Sequence, residues 1–358
     1  MLLLNPGPVS LSERVRRSLT QPDLCHRESE FFDLQDEARA RLLGVYALDA
    51  AQWSAVLMTA SGTGAVESMV ASLVPRSGRI LVVENGVYGE RIAQICAQYQ
   101  VSHERLIGDW LTAPDLAMIR ARLDGTPAAA RFSHLAIVHH ETTTGRLTAL
   151  KPLAGLCAEH RVQLLVDAVS SFGAEQIDFD EPALAAVAGT ANKCLHGVPG
   201  AAFVIARAAS LTQAETRTYY LDLARLARQQ QQRNTPFTPA VQSYYALVEA
   251  LREYQEQGGR PARHRRYAQL ADQVRAGLAT WGIQPLIAPE ESSVVLRAYR
   301  LPGTLSYQRL HDALKQDGFI IYAGQGKLAP SLFRISTMGE LTAADMDRLL
   351  AGVGRLLS

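Results

Sequence analysis

The sequence predicts an α/β protein with a mostly parallel central sheet, helices on both faces, and a smaller C-terminal α+β domain. Two observations carry this. Over the first two-thirds, short continuous apolar runs alternate with segments of helical periodicity, as expected of strands buried on both faces and joined by crossover helices. After about residue 208 the texture changes, and the last stretch alternates helix and strand on a shorter scale. The composition agrees: 358 residues, 47% hydrophobic and 20% charged, suit a globular chain with one large and one smaller domain.

The elements follow in order. Ser54–Thr59 (SAVLMT) reads as a buried strand, and Ala65, Val66, Met69, Val70 and Leu73 then recur at helical spacing. Arg79–Glu84 is a second strand with a helix near Glu90–Gln100. His134–His139 is a third with a helix near Leu150–His160, and Val162–Asp167 is a fourth. Ala185–Gly189 and Ala202–Ala206 are weaker strand candidates. Arg217–Arg233 is polar and Gln-rich, an exposed helix end or loop. Thr235–Pro239 (TPFTP) breaks helix, and a long helix over Val241–Gln257 ends at Gly258-Gly259. From Arg263 the order is helix, strand (Val294–Arg297), helix (Tyr307–Gln316), strand (Phe319–Tyr322), strand (Phe333–Ser336), helix (Ala343–Leu357). No internal repeat or low-complexity linker is visible.

Several function classes are excluded by composition. Lys+Arg (36) nearly cancels Asp+Glu (35), so no basic surplus points to nucleic acid or an anionic membrane. No apolar run reaches the ~18–20 residues of a membrane span, and the start, Met1–Pro6, lacks the basic and apolar regions of a secretory signal. The four cysteines form no CxxC, which argues against a disulfide framework or zinc ribbon and for a cytoplasmic setting. His139-His140-Glu141 lacks the spacing of a helical zinc site, so no metal is expected.

Lysine is scarce. Only Lys151, Lys193, Lys315 and Lys327 occur, against 32 arginines. A retained lysine is therefore a candidate for chemistry that arginine cannot do, above all a covalent bond to a carbonyl. Lys193 sits among small and apolar residues (Thr190–Gly200), where desolvation favours the neutral amine. Neighbouring Cys194 has no identifiable base. In an open parallel sheet the ligand lies beyond the C-terminal strand ends. Those ends carry Ser61-Gly62-Thr63-Gly64, Asn85–Tyr88, Glu141–Gly145, Asp167 and Asn192-Lys193. The first is a strand-to-helix turn of small residues suited to a phosphate. Gly62-x-Gly64 with Glu84 partly mimics a dinucleotide fingerprint, but Glu67 stands at the third glycine position, so a nicotinamide-dependent oxidoreductase is the weaker reading. Asp167 ends an apolar strand and needs a cationic partner, such as a protonated ring nitrogen, or serves as a loop cap. Tyr88, between glycines, can lie flat on a planar ligand or pack into the core. Arg334, alone in the apolar Leu332–Ser336 run, calls for a bidentate anion, from a substrate or from an internal acid.

Together the motifs resemble the class V aminotransferase group of fold-type I pyridoxal-phosphate enzymes. They run from Asn5-Pro6-Gly7-Pro8 through SGTGAVES, NGVYGER, HHETTTG, VDAVSSFG, ANKCLHGVPG and TPFTP to FRISTMGE. Within the group the wording is most similar to the 2-aminoethylphosphonate:pyruvate aminotransferase family, including Cys25–Phe31 on the substrate side. The resemblance implies pyridoxal 5'-phosphate held by Lys193, with Asp167 on the pyridinium nitrogen, Tyr88 on the ring and Ser61, Gly62, Thr63 and Asn192 around the phosphate. It also implies that Thr143 bonds near the phenolic oxygen, that Arg334, Pro6 and Gly7 face the substrate, and that Thr238 reaches the phosphate of a neighbouring subunit in a homodimer with shared sites. The partners are then a small amino donor and a 2-oxo acid acceptor. The implied organisation is an N-terminal segment lining the site (1–20), a large cofactor-binding domain (21–258) and a small domain (259–358). Three segments depart from the family wording: FRISTMGE, TPAVQ and Tyr322–Lys327 (YAGQGK), the last similar to alanine– or serine–glyoxylate relatives. The resemblance implies that these segments lie on the substrate side, so an aminotransferase of that type is the alternative within the class. A lyase and a non-catalytic binder of the same cofactor are the others.

Overall fold

A computed structural model describes residues 1–303 and 305–357. Its centre is a seven-stranded sheet: β1 (Trp53–Ala60), β2 (Arg79–Glu84), β3 (Ser102–Ile107), β4 (His134–Val138), β5 (Gln163–Asp167), β6 (Leu184–Thr190) and β7 (Gly200–Arg207). The spatial order is β1-β7-β6-β5-β4-β2-β3. Neighbours are parallel except that β7 runs antiparallel to both β1 and β6.

The strands look uniformly apolar because both faces are covered. Leu57, Leu81, Ile137, Val166 and Phe203 face a core that includes residues of the Ser29–Gly44, Leu150–Glu159 and Val241–Glu256 helices. Their sequence neighbours Val56, Val82, Val138, Leu165 and Val204 face a second core under the Gly62–Leu73 and Val87–Gln98 helices. The period of two thus survives inside a continuous hydrophobic run.

A three-stranded antiparallel sheet (Leu296–Arg300, Leu332–Ser336, Tyr322–Ala323) packs with the Gly259–Ala279, Tyr307–Gln316 and Ala343–Leu357 helices around Phe319, Phe333 and Tyr299. The N-terminus joins this core: Leu2–Leu3 pairs parallel with Phe319–Ile320, and Leu4 is buried beside them. That pairing delivers Asn5–Pro8 to the edge of the central sheet.

Some expectations are corrected. Edge strand β3 (SHERLI) and the Ser29–Gly44 helix have no counterpart in the sequence reading. Phe319–Tyr322 is not one strand, because its halves pair with different partners. The Val294–Arg297 strand lies later, at Leu296–Arg300. Arg217–Arg233 contains a helix, Leu223–Gln231, capped by Asp222.

Candidate active site

Strand ends converge at the C-terminal edge of the central sheet. After β1, Ser61 caps the Gly62–Leu73 helix, its hydroxyl accepting from Gly64 N–H at 3.4 Å. The first-turn amides of such a helix lack intrahelical acceptors and carry the positive end of its dipole. After β2, the buried Asn85 amide donates to Val138 O (3.0 Å) and Thr148 Oγ1 (3.2 Å), which fixes the turn leading to Tyr88. β5 delivers Asp167, and the turn after β6 carries Asn192 and Lys193. Ser61, Gly62, Thr63, Tyr88, Asp167, Asn192 and Lys193 line one cavity of about 280 Å³. A cleft of about 580 Å³ lies elsewhere, lined by residues such as Tyr46, Trp53, Asp178 and Arg260, and holds none of the sequence candidates.

Lys193 Nζ donates to the carbonyl oxygen of Pro6. Gly7 sits over the lysine at φ +118°, where a Cβ would fall 2.6 Å from Lys193 Cδ. Pro6 and Gly7 therefore close one side of the site. Burial pushes the Lys193 amine down to about 8; Arg334 and Arg91 push the same way, and Cys194 and Asp167 oppose them. Asp167 is 7% exposed and forms no ion pair among the described residues. Burial raises its carboxyl to about 6, against a 3.0 Å hydrogen bond from Val169 N–H. The backbone after Lys193 is fixed from two directions. Arg263 Nη1 donates to Cys194 O (2.7 Å), and His196 Nε2 accepts from Gly339 N–H (2.9 Å) and contacts Tyr267 Oη (2.5 Å). Burial drives the Cys194 thiol far up, which removes it as a nucleophile.

Arg334 is 4% exposed and hydrogen-bonds only neutral acceptors. Nε donates to Ala323 O (2.8 Å), and Nη1 donates to Thr142 O (3.1 Å) and Gln325 Oε1 (3.2 Å). No carboxylate forms an ion pair with it among the described residues. Thr143 is buried outside the lining of the Lys193 cavity, and its side chain and N–H both favour the charged form of Glu141.

Two groups at the site escaped the sequence reading. Arg91 lines the cavity, donates to Thr63 Oγ1 (3.2 Å) and lies 4.7 Å from the Tyr88 ring centroid. Its signal was the i, i+3 spacing from Tyr88 on one helix face. Glu141, placed at a strand end by the sequence but weighed for a role only as a metal ligand, is fully buried. It accepts from Tyr88 N–H (3.1 Å) and Thr143 N–H (2.9 Å), and burial raises it to about 7. His139 and His140 bond Ser171 and Ser170.

Thr238 does not line this cavity. It is exposed, next to Phe237, and Arg27 of the Cys25–Phe31 stretch bonds Thr235 O nearby (2.6 Å). Glu84 lies in a different cleft and is paired with Arg105 (2.6 Å), so the nicotinamide reading loses its acidic partner.

The profile of the family "Aminotransferase class-V" matches residues 14–349. A 2-aminoethylphosphonate–pyruvate transaminase of Vibrio vulnificus is 35% identical, with 99% of this chain and 97% of that protein covered. One of Pseudomonas aeruginosa is 34% identical over 99% and 96%. Among solved structures, an aspartate aminotransferase of Thermus thermophilus superposes with a TM-score of 0.90 at 27% identity, covering 100% of this chain and 99% of that one. An alanine–glyoxylate aminotransferase of Nostoc sp. gives 0.91 at 25% identity, covering 100% and 95%.

Proposed function

Because the chain belongs to the class-V aminotransferases, we propose that it is a pyridoxal-phosphate enzyme moving the amine of 2-aminoethylphosphonate to pyruvate, giving phosphonoacetaldehyde and L-alanine. The observation that carries the substrate class is Arg334, a buried cation with only neutral partners, close enough to Lys193 to depress its pKa. Such a guanidinium is suited to an oxygen-rich anion, and phosphonate and carboxylate both qualify.

The residues fit the cofactor. Asp167 is a buried acid with no ion pair among the described residues, and the first turn of the Gly62–Leu73 helix opens toward the same cavity. Ser61, Gly62, Thr63 and Asn192 would hold the phosphate, with Arg91 adding positive charge, while Tyr88 would lie on the ring and Thr143 would donate to the phenolic oxygen. Bound pyridoxal phosphate supplies an aldehyde and a ring that accepts an electron pair.

Lys193 does the rest. Its lowered pKa keeps a usable fraction of neutral amine for covalent attachment. With the substrate amine in its place, the freed Lys193 Nζ would serve as the base that takes a proton from the carbon bearing nitrogen and returns it later in the transfer. Asp167, a buried carboxyl with no ion pair among the described residues, would hold the ring nitrogen of the cofactor in its protonated form. Pro6 and Gly7 cover Lys193 and limit water. Thr238 is exposed outside this cavity, a position consistent with its serving a partner subunit's site in a homodimer. No helix among the described residues is long and apolar enough to cross a membrane.

The test mixes the cofactor-loaded protein with 2-aminoethylphosphonate, alanine and serine separately. Fastest loss of the visible band with the phosphonate, followed by recovery with pyruvate, is the expected result. Faster loss with alanine or serine, and recovery with glyoxylate, would move the enzyme to the glyoxylate-using type.

A further inference from the structure

Arg334 has five N–H groups, and three already have acceptors. Ala323 O and Thr142 O are backbone atoms, held by the Tyr322–Ala323 pairing with Leu332–Ser336 and by the turn after β4. The third acceptor, Gln325 Oε1, is the end of a flexible side chain. Nη2 donates to nothing among the described residues. A carboxylate or phosphonate gripped through parallel bonds needs N–H groups from two nitrogens. Nε is committed to backbone, so the second must come from Nη1, and there only Gln325 can give way.

Gln325 stands in a partly exposed but anchored position. Gly324 N–H donates to Leu332 O (2.8 Å), Leu328 N–H donates to Gln325 O (3.2 Å), and Lys327 Nζ lies 4.6 Å from the Trp110 ring centroid. The backbone thus presents the carboxamide to Arg334 while its side-chain torsions stay free to turn it away.

Resting on the reading of Arg334 as the anion-binding residue, we propose that Gln325 is a specificity-determining residue. Its carboxamide competes with the anionic group of the substrate for Arg334 Nη1, and it must swing aside before phosphonate or carboxylate is held by two nitrogens. The neutral amide is a weaker acceptor than either anion, so it yields to a charged substrate and keeps the guanidinium from neutral amines. A fixed carboxylate at the same position would not yield.

The test uses the full chain loaded with its cofactor. Methylphosphonate and acetate, anions with no amine, are titrated calorimetrically into the wild type, Gln325→Leu and Gln325→Glu. Removing the competitor is expected to tighten binding of both anions several-fold, and replacing it with an acid to weaken binding by roughly tenfold or more. The visible band should stay unchanged, since Gln325 does not line the cofactor cavity. Unchanged affinities in both variants would overturn the competition, and so would weaker binding in Gln325→Leu, which would make the amide a direct ligand. A wild type that binds neither anion would instead overturn the placement of Arg334 and with it the substrate reading.

Discussion

Lys193 Nζ donates to Pro6 O, joining a side chain from the turn after β6 to a residue near the N-terminus. The contact arises because Leu2–Leu3 pairs with Phe319–Ile320 and so aims the next turn at the lysine. Gly7 is required there twice, by φ +118° and by the 2.6 Å that a Cβ would leave to Lys193 Cδ. Gly7→Ala adds about 1–3 kcal/mol of backbone strain and displaces the lysine. Cofactor attachment, followed by absorbance on mixing apoprotein with pyridoxal phosphate, should slow by roughly tenfold or more. Gly44→Ala, with nothing within 4 Å of the added Cβ, should attach as the wild type does.

The attachment rate should also depend on pH in a particular way. Only the neutral amine attacks an aldehyde. An ordinary lysine is neutral in roughly one molecule per thousand at pH 7.5, whereas an amine lowered to about 8 is neutral in about a quarter. The rate should rise with pH, pass its midpoint near 8 and level off above. A profile still climbing beyond pH 10 would show that Lys193 is not desolvated.

Arg334→Gln keeps some hydrogen bonding to Ala323 and Thr142 but removes the charge. KM for 2-aminoethylphosphonate and for pyruvate should rise roughly 10- to 100-fold, with a smaller change in kcat. Steady-state kinetics with each substrate varied separately would show it. Equal KM values would return Arg334 to a purely structural role.

Gly86 makes room for an acid. A Cβ there would fall 2.2 Å from Glu141 Cδ, and Glu141 holds the Tyr88 and Thr143 amides. Gly86→Ala should lower stability by about 1–3 kcal/mol through overpacking, read from the urea midpoint, and should weaken pyridoxal phosphate binding because the Tyr88 turn shifts. A variant with wild-type midpoint and affinity would show the turn to be more pliant than its hydrogen bonds suggest.

Much of this was legible in the sequence. The buried strand that carries Asp167 announces itself by an apolar run, whereas the Ala-rich strand before Lys193 (Leu184–Thr190) is a weaker signal, and Ser61, Gly62, Thr63, Tyr88, Asn192 and Lys193 meet because the strands end in small or polar residues. Edge strand β3 did not, since none of its residues is buried and its SHERLI sequence lacks an apolar run. Arg91 and Glu141 were obscure for another reason. Their importance lies in side-chain contacts across separate segments, Arg91 with Thr63 and Glu141 with Gly86 and Tyr88, and no local pattern encodes such contacts. Gln325 is a similar case, since only the fold brings its carboxamide onto Arg334.

Borohydride reduction of the cofactor-loaded protein, followed by peptide mapping, reports on Lys193 itself. The pyridoxyl label is expected on the peptide containing Ala191–Leu195 and nowhere else. A label on Lys151, Lys315 or Lys327, or none at all, would contradict the assignment of Lys193 as the reacting amine.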